Sequence, residues 1–291
     1  MTVFAGCLTQ TGIDNLKEDS NAGTKLDAFL LDVGDDKSCQ EAGIYIEKQL
    51  AGKPLHAVVN NAGITGKFLK DDFLDIEEYK KVSDINMFGV IRSTHAVKKL
   101  IKKSKGRIVN VVSAAARIAL PGLGPYTASK YGVSGFCDVL RQELAPFGVS
   151  VHILEPGLFD TPLVAREKIQ REIQKAWDEA PNDIREEYGE AFYNETWDEA
   201  PNDIREEYGE AFYNESQRGI HSILEKFSSK EISLVVDANF HAMTSKWPRA
   251  RYQVGWDSIL LYIPFSYLPT GAQDLIFQAL NYFIMPKPAK C

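Results

Sequence analysis

The chain has 291 residues, 44% of them apolar and 25% charged, with a formal net charge of −7. Those proportions belong to a folded globular protein and exclude a disordered or collagenous one. No stretch reaches the roughly 18 apolar residues that span a bilayer, and the cysteines (Cys7, Cys39, Cys137, Cys291) have neither metal-ligand nor disulfide-framework spacing.

The first predicted element is a strand over Thr2–Leu8. It begins at the second residue, with no leader or polar lead-in. Such an opening is expected of a chain that starts there by design or of one that has lost a preceding piece. TGIDNLKE then reads as a short helix, KLDAFLLDV as a strand, SCQEAGIYIEKQL as a helix, and LHAVV as a strand running into NNAGITG. A long helix is predicted from Ile76 to Lys103, its lysines Lys98, Lys99, Lys102 and Lys103 forming a solvated face near the C-terminal end. GRIVNVVSA is a strand, Gly124–Phe147 a helix, and VSVHILEPG the next strand. Short, nearly continuous apolar strands separated by helices predict a parallel sheet covered on both faces, a doubly wound α/β architecture of Rossmann type.

After Gly157 the alternation stops. WDEAPNDIREEYGEAFYNE occurs twice, at Trp177–Glu195 and Trp197–Glu215, each copy carrying seven acidic residues and one arginine. The acidity is therefore local, and the rest of the chain is weakly basic. Ile184, Tyr188 and Phe192 recur every four residues, so each copy reads as helix. Two copies do not make a solenoid, and the segment reads as one duplicated helix, of which a single copy should dock. More helix is expected over Ser216–Ser245, then a strand at RYQVG and an apolar tail ending in DLIFQALNYFIM. The expected organisation is a single domain: residues 1–157 a Rossmann core, 158–250 a helical lid over the substrate, and 251–291 the last strand and tail.

The residues that carry chemistry lie in SAAARIALPGLGPYTASK. Ser113 ends a strand, Tyr126 follows thirteen residues later, and Lys130 is four beyond it. Residues i and i+4 share a helix face, so the phenol and the ammonium can approach. A nearby cation is expected to lower the tyrosine pKa and fit it for acid/base work. Other catalytic motifs are absent: there is no GxSxG, HExxH or CxxC, and the five histidines are scattered, so no metal is expected.

These residues resemble the short-chain dehydrogenase/reductase family. The resemblance makes Ser113, Tyr126 and Lys130 catalytic, with Asn86 in DINMFGV as the fourth member. It places Asn60, Ala62 and Gly63 of NNAG beside the cofactor and Asp32 of LLDV at the adenine. Pro156, Gly157 and Thr161 of EPGLFDT would lie near the nicotinamide, with Tyr126 and Lys130 also holding the cofactor. FAGCLTQTG, APNDIREEYGEAF and RYQVGWDSILLYIPFSYLP are similar to the retinol and hydroxysteroid dehydrogenase branch. That implies a retinoid- or steroid-like alcohol or ketone as substrate and NAD as cofactor, with NADP left open. It also implies no nucleic acid partner, an optional homo-oligomer, and peripheral contact with the endoplasmic reticulum membrane. A cytoplasmic location is the alternative, if a preceding segment carried the anchor.

One family feature is not found. TGxxxGxG, the glycine-rich turn that holds the pyrophosphate, occurs nowhere in the 291 residues. TVFAGCL matches the family's second strand, so the sheet is expected to be N-terminally truncated, with two strand edges left open. The alternative function, a catalytically inactive homologue serving as a binding or scaffold protein, rests on that feature alone.

Overall fold

The computed structural model describes residues 1–18, 25–164, 171, 175, 178–184 and 228–284. Apart from 178–184, the two acidic copies lie outside the described residues, as do Ser216–Phe227 and Cys291. Along the chain come β1 (Val3–Cys7), α1 (Gln10–Glu18), β2 (Leu26–Leu30), α2 (Asp36–Leu50), β3 (Ala57–Asn60) and α3 (Ile76–Ser83). After them come α4 (Gly89–Ser104), β4 (Arg107–Val111), α5 (Gly124–Leu144), β5 (Ser150–Pro156), α6 (Ser233–Thr244), β6 (Arg251–Val254), α7 (Ile263–Ser266) and α8 (Thr270–Ile284).

Every strand pair is parallel, as the apolar runs separated by helices require. The strands fall into two sheets, β1-β2 and β3-β4-β5-β6. In the larger sheet β4 and β5 are central and almost wholly buried, and their alternating side chains serve two cores. Ile108, Val151 and Ile153 face Val97, Ile101, Val133, Cys137 and Leu140 of α4 and α5. Val109 and Leu154 face Ala242 of α6 with Tyr252 and Val254 of β6. The sheet is thus covered on both faces, and that double cover explains why these strands show no polar alternation.

β1 and β2 are thus separated from the sheet that begins with β3, in keeping with the open edges that the sequence predicts. Lacking strand partners other than each other among the described residues, β1 and β2 stay half exposed, with Val3 at 42% and Leu30 at 56%. Helices join the two parts. A Cβ on Gly43 of α2 would lie 2.7 Å from the Ala96 carbonyl oxygen of α4, so the helices meet backbone to backbone. Arg92 of α4 pairs with Asp36 of α2 at 2.5 Å and with Asp84 at 2.6 Å.

One predicted helix differs in detail. The Ile76–Lys103 segment is helical throughout, but a π-helical turn at Asp84–Phe88 separates α3 from α4. The extra residue in that turn brings Asn86 inward, where its amide bonds outside the helix.

Candidate active site

The site is assembled where the strands of the larger sheet end. Two residues past β4, Ser113 caps a short 3-10 turn at Ala114–Ala116, its hydroxyl accepting the Ala115 N–H at 3.1 Å. Helix α5 opens on Gly124-Pro125, a start that suits proline because the first helical N–H has no partner to lose. Tyr126 and Lys130 then stand one turn apart. The Ser113 hydroxyl lies near enough to the Tyr126 phenol to act on its protonation. The Lys130 ammonium lies 5.4 Å from the centre of the Tyr126 ring and donates to the Val111 carbonyl at 3.2 Å.

Asn86 is fully buried. Its amide nitrogen donates to the Ile64 carbonyl at 2.8 Å and to the Ser129 hydroxyl at 3.0 Å, and its oxygen accepts the Ile64 N–H at 2.8 Å. Gly63 completes the cluster: a Cβ there would be 3.2 Å from the Asn86 oxygen and 3.6 Å from the Lys130 nitrogen. Ser113, Tyr126, Lys130, Asn86 and Gly63 therefore form one constellation.

The other predicted residues surround it or stand apart. Asn60 is a strut: it donates to Thr94 at 2.9 Å and Asn110 at 2.8 Å and accepts from Ser93 at 2.8 Å, binding β3 to β4 and α4. Ala62 lies exposed on the turn after β3, and Pro156 ends β5 with Gly157 just after it. Thr161 is half-buried just beyond, its carbonyl accepting the Val164 N–H. Asp32 is exposed beyond β2, in the other sheet, where its carboxylate accepts the Gly34 N–H at 2.8 Å. It faces Asp84, two residues before Asn86, across Gly34.

The electrostatics correct one expectation. Burial pushes the Tyr126 phenol up from its usual value, with the Ser113 hydroxyl acting in the opposite sense. Lys130, itself buried, is pulled down to about 8. The ammonium spends its hydrogen bond on Val111 instead of the phenol, and desolvation of both groups outweighs their attraction.

Three groups that sequence reasoning missed support the site. Glu155, fully buried on β5, accepts from Arg117 at 2.7 Å, from Arg251 at 2.6 Å and from Gln253 at 3.0 Å. Ser129 receives the Asn86 amide. Asp257, three residues past β6 and wholly buried, accepts the Leu158 N–H at 2.6 Å. No local pattern marks these residues. An acid becomes visible as an interior group only once the fold has buried it.

The catalytic end fits a nicotinamide cofactor. Lys130 has three N–H donors and makes one hydrogen bond among the described residues, and its nitrogen lies beside the side-chain-free Gly63. No glycine-rich turn leading into a helix is found among the described residues for the phosphates.

Comparison with known proteins agrees. The model of the family described as short chain dehydrogenase matches residues 3–172. The chain belongs to the short-chain dehydrogenase family. A rat 17-beta-hydroxysteroid dehydrogenase type 6 is 38% identical over 276 residues, covering 95% of this chain and 80% of the relative. Rat retinol dehydrogenase 16 is 36% identical over 290 residues, covering 100% and 83%. These relatives put the chain in the retinol and hydroxysteroid dehydrogenase-like branch. A short-chain dehydrogenase from Streptomyces avermitilis shares the fold, with a TM-score of 0.64 at 19% identity over 97% of this chain and 86% of that one. The chain is accordingly an NAD(P)-dependent alcohol dehydrogenase of the short-chain type.

Proposed function

We propose that this short-chain dehydrogenase moves a hydride between NAD and a retinoid- or steroid-like alcohol or ketone. Supporting this reading above all is the convergence of Ser113, Tyr126, Lys130 and Asn86 at the strand ends where doubly wound sheets take ligands. The names of the relatives supply the substrate class, and nothing in the comparisons favours an inactive scaffold. NAD is preferred over NADP on resemblance.

When bound, the cofactor supplies or accepts the hydride. The residues of this chain handle the proton and the orientation. The Ser113 hydroxyl, held by the strand end and its turn, would hydrogen-bond the reacting oxygen. The Tyr126 hydroxyl would give that oxygen its proton in reduction and take it in oxidation. Lys130, with two donors uncommitted among the described residues, would hold the nicotinamide ribose and stabilise negative charge developing on the phenol oxygen. Asn86 would hold a water, its amide fixed by Ile64 and Ser129. Asp32 would meet the adenine end, and Asn60, Ala62, Pro156, Gly157 and Thr161 would shape the wall beside the nicotinamide. In Tyr126→Phe we expect turnover of retinol or a 3-hydroxysteroid, read as reduced nicotinamide absorbance, to fall at least 1,000-fold, with NADH affinity nearly intact. An affinity that collapsed with the rate would make Tyr126 structural and sink the mechanism.

An apolar substrate suits a membrane-facing enzyme, and the C-terminal part carries an exposed apolar surface. No helix among the described residues is long and apolar enough to cross a membrane. Yet Ile259, Leu260, Leu261, Tyr267, Leu275 and Ile276, around α7 and α8, are all exposed. This surface is read as the peripheral contact with the endoplasmic reticulum membrane. The chain should float with phosphatidylcholine vesicles, and Leu260→Asp with Leu275→Asp should leave it behind. Failure of the unsubstituted chain to float would overturn the membrane reading and leave a second copy as the occupant.

A further inference from the structure

The turn that follows β5 is held from below by a single carboxylate. Asp257 stands after β6 at the site end of the sheet, with none of its surface exposed. One of its oxygens accepts the Leu158 N–H at 2.6 Å. The other, Oδ1, is buried without a hydrogen-bond partner among the described residues. It lies between two glycines, one after each strand. A Cβ on Gly157 would collide with both carboxylate oxygens, and one on Gly255 would lie 2.6 Å from Oδ1. Gly255 also has φ +97, a conformation that favours glycine. Gly157 has no such backbone demand; what excludes a side chain there is the carboxylate.

A buried acid with one oxygen unsatisfied is unfavourable, and burial accordingly pushes the Asp257 carboxyl up. Apolar residues of similar volume would fill the space without that penalty. They would not hold the Leu158 amide, and so would leave the turn after Pro156 free to shift. The neighbouring Ser258 adds a second tie to the same strand end, its hydroxyl donating to the Glu155 carbonyl at 2.8 Å.

We propose that Asp257 is a positioning residue for the cofactor. By occupying the space under Gly157 and holding the Leu158 amide, it fixes the turn that forms the wall beside the nicotinamide. This rests on the reading of that turn given under the proposed function. Asp257 touches neither substrate nor hydride; it acts through Gly157 and Leu158.

The test uses the full chain with Asp257→Asn, Asp257→Ala and Asp257→Ser. Asparagine keeps the shape and one acceptor, whereas alanine and serine are too short to reach the amide. Hydrogen exchange at Leu158, measured without cofactor, should be at least ten times faster in the Ala and Ser variants and nearly unchanged in the Asn variant. Unchanged exchange in the short variants overturns the proposal. NADH titration by fluorescence should then show about a tenfold weaker Kd in the short variants and rescue by asparagine. Equal Kd values in the parent and the short variants also overturn it. Gly157→Ala should weaken NADH binding on its own but add little in the Asp257→Ala background, where the methyl has room; additive losses would show that the carboxylate is not what excludes a side chain. If the parent itself bound no NADH at millimolar concentration, the cofactor reading would fall and this proposal with it, while the exchange data would still show whether the turn is held.

Discussion

Lys130 illustrates how a buried charge can be kept at the expense of stability. Its pKa falls from 10.5 to about 8 because the ammonium is buried. The unfolded chain therefore binds this proton more tightly than the folded one. Below about pH 8 both states are charged and the full penalty stands; a shift of this size corresponds to about 3 kcal/mol. The penalty shrinks as pH rises from about 8 toward 10.5 and then vanishes. Lys130→Met should thus abolish turnover yet melt several degrees higher at pH 7, with the gap between the two proteins closing by pH 10. Comparing the two proteins cancels the titration of groups that do not interact with Lys130. A melting difference that did not change with pH would mean Lys130 is not the buried charge described here. The sequence made the Tyr126 and Lys130 pairing legible, because i and i+4 share a helix face. The direction of the Tyr126 shift was not legible, because desolvation depends on packing that no local spacing encodes.

Among the elements, the helix that runs from α3 into α4 shows most plainly what a pattern can and cannot reveal. Its apolar period and its Asp75 cap, which accepts the Glu78 N–H at 2.8 Å, are local and readable. The π-helical turn at Asp84–Phe88 is not, since its cause lies outside the helix: the Asn86 amide satisfies both the N–H and the C=O of Ile64. Asn86→Leu would leave both Ile64 groups buried and unpaired. It should destabilise the chain by about 2–4 kcal/mol in a denaturant melt, and it should remove turnover at temperatures where the protein is still folded. Loss of turnover with no loss of stability would show that Ile64 finds other partners. The parallel, doubly covered character of β3-β4-β5-β6 was equally legible, because buried parallel strands announce themselves as unbroken apolar runs. Apart from residues 178–184, the tandem acidic copies fall outside the described residues, so the docking of a single copy stays an expectation.

At the scale of the whole molecule, the two sheets make unequal contributions. β4 and β5 are sealed on both faces, whereas β1 and β2 are half exposed and reach the rest through α2 and α4. The backbone contact of Gly43 with Ala96 is the tightest part of that junction. Gly43→Val should force the helices apart and destabilise the chain by about 2 kcal/mol. Amide exchange should accelerate in β1 and β2 far more than in β4 and β5, in keeping with units of unequal local stability. A uniform acceleration would mean that the two sheets open together and that the junction is not the weak point.

The carboxylate of Glu155 has a mechanical consequence. The Arg117 it binds follows the turn capped by Ser113, and the Arg251 it binds opens β6, the strand that leads into α7, α8 and their exposed apolar face. Both guanidinium groups meet the same oxygen of a residue that no water reaches. A sliding of β6 along the sheet cannot leave the Ser113 turn in place without breaking one of two charge-assisted bonds in a dry interior, where such bonds are strongest. The serine is in this sense tethered to the outer surface, and whatever grips the C-terminal helices pulls on the position of its hydroxyl.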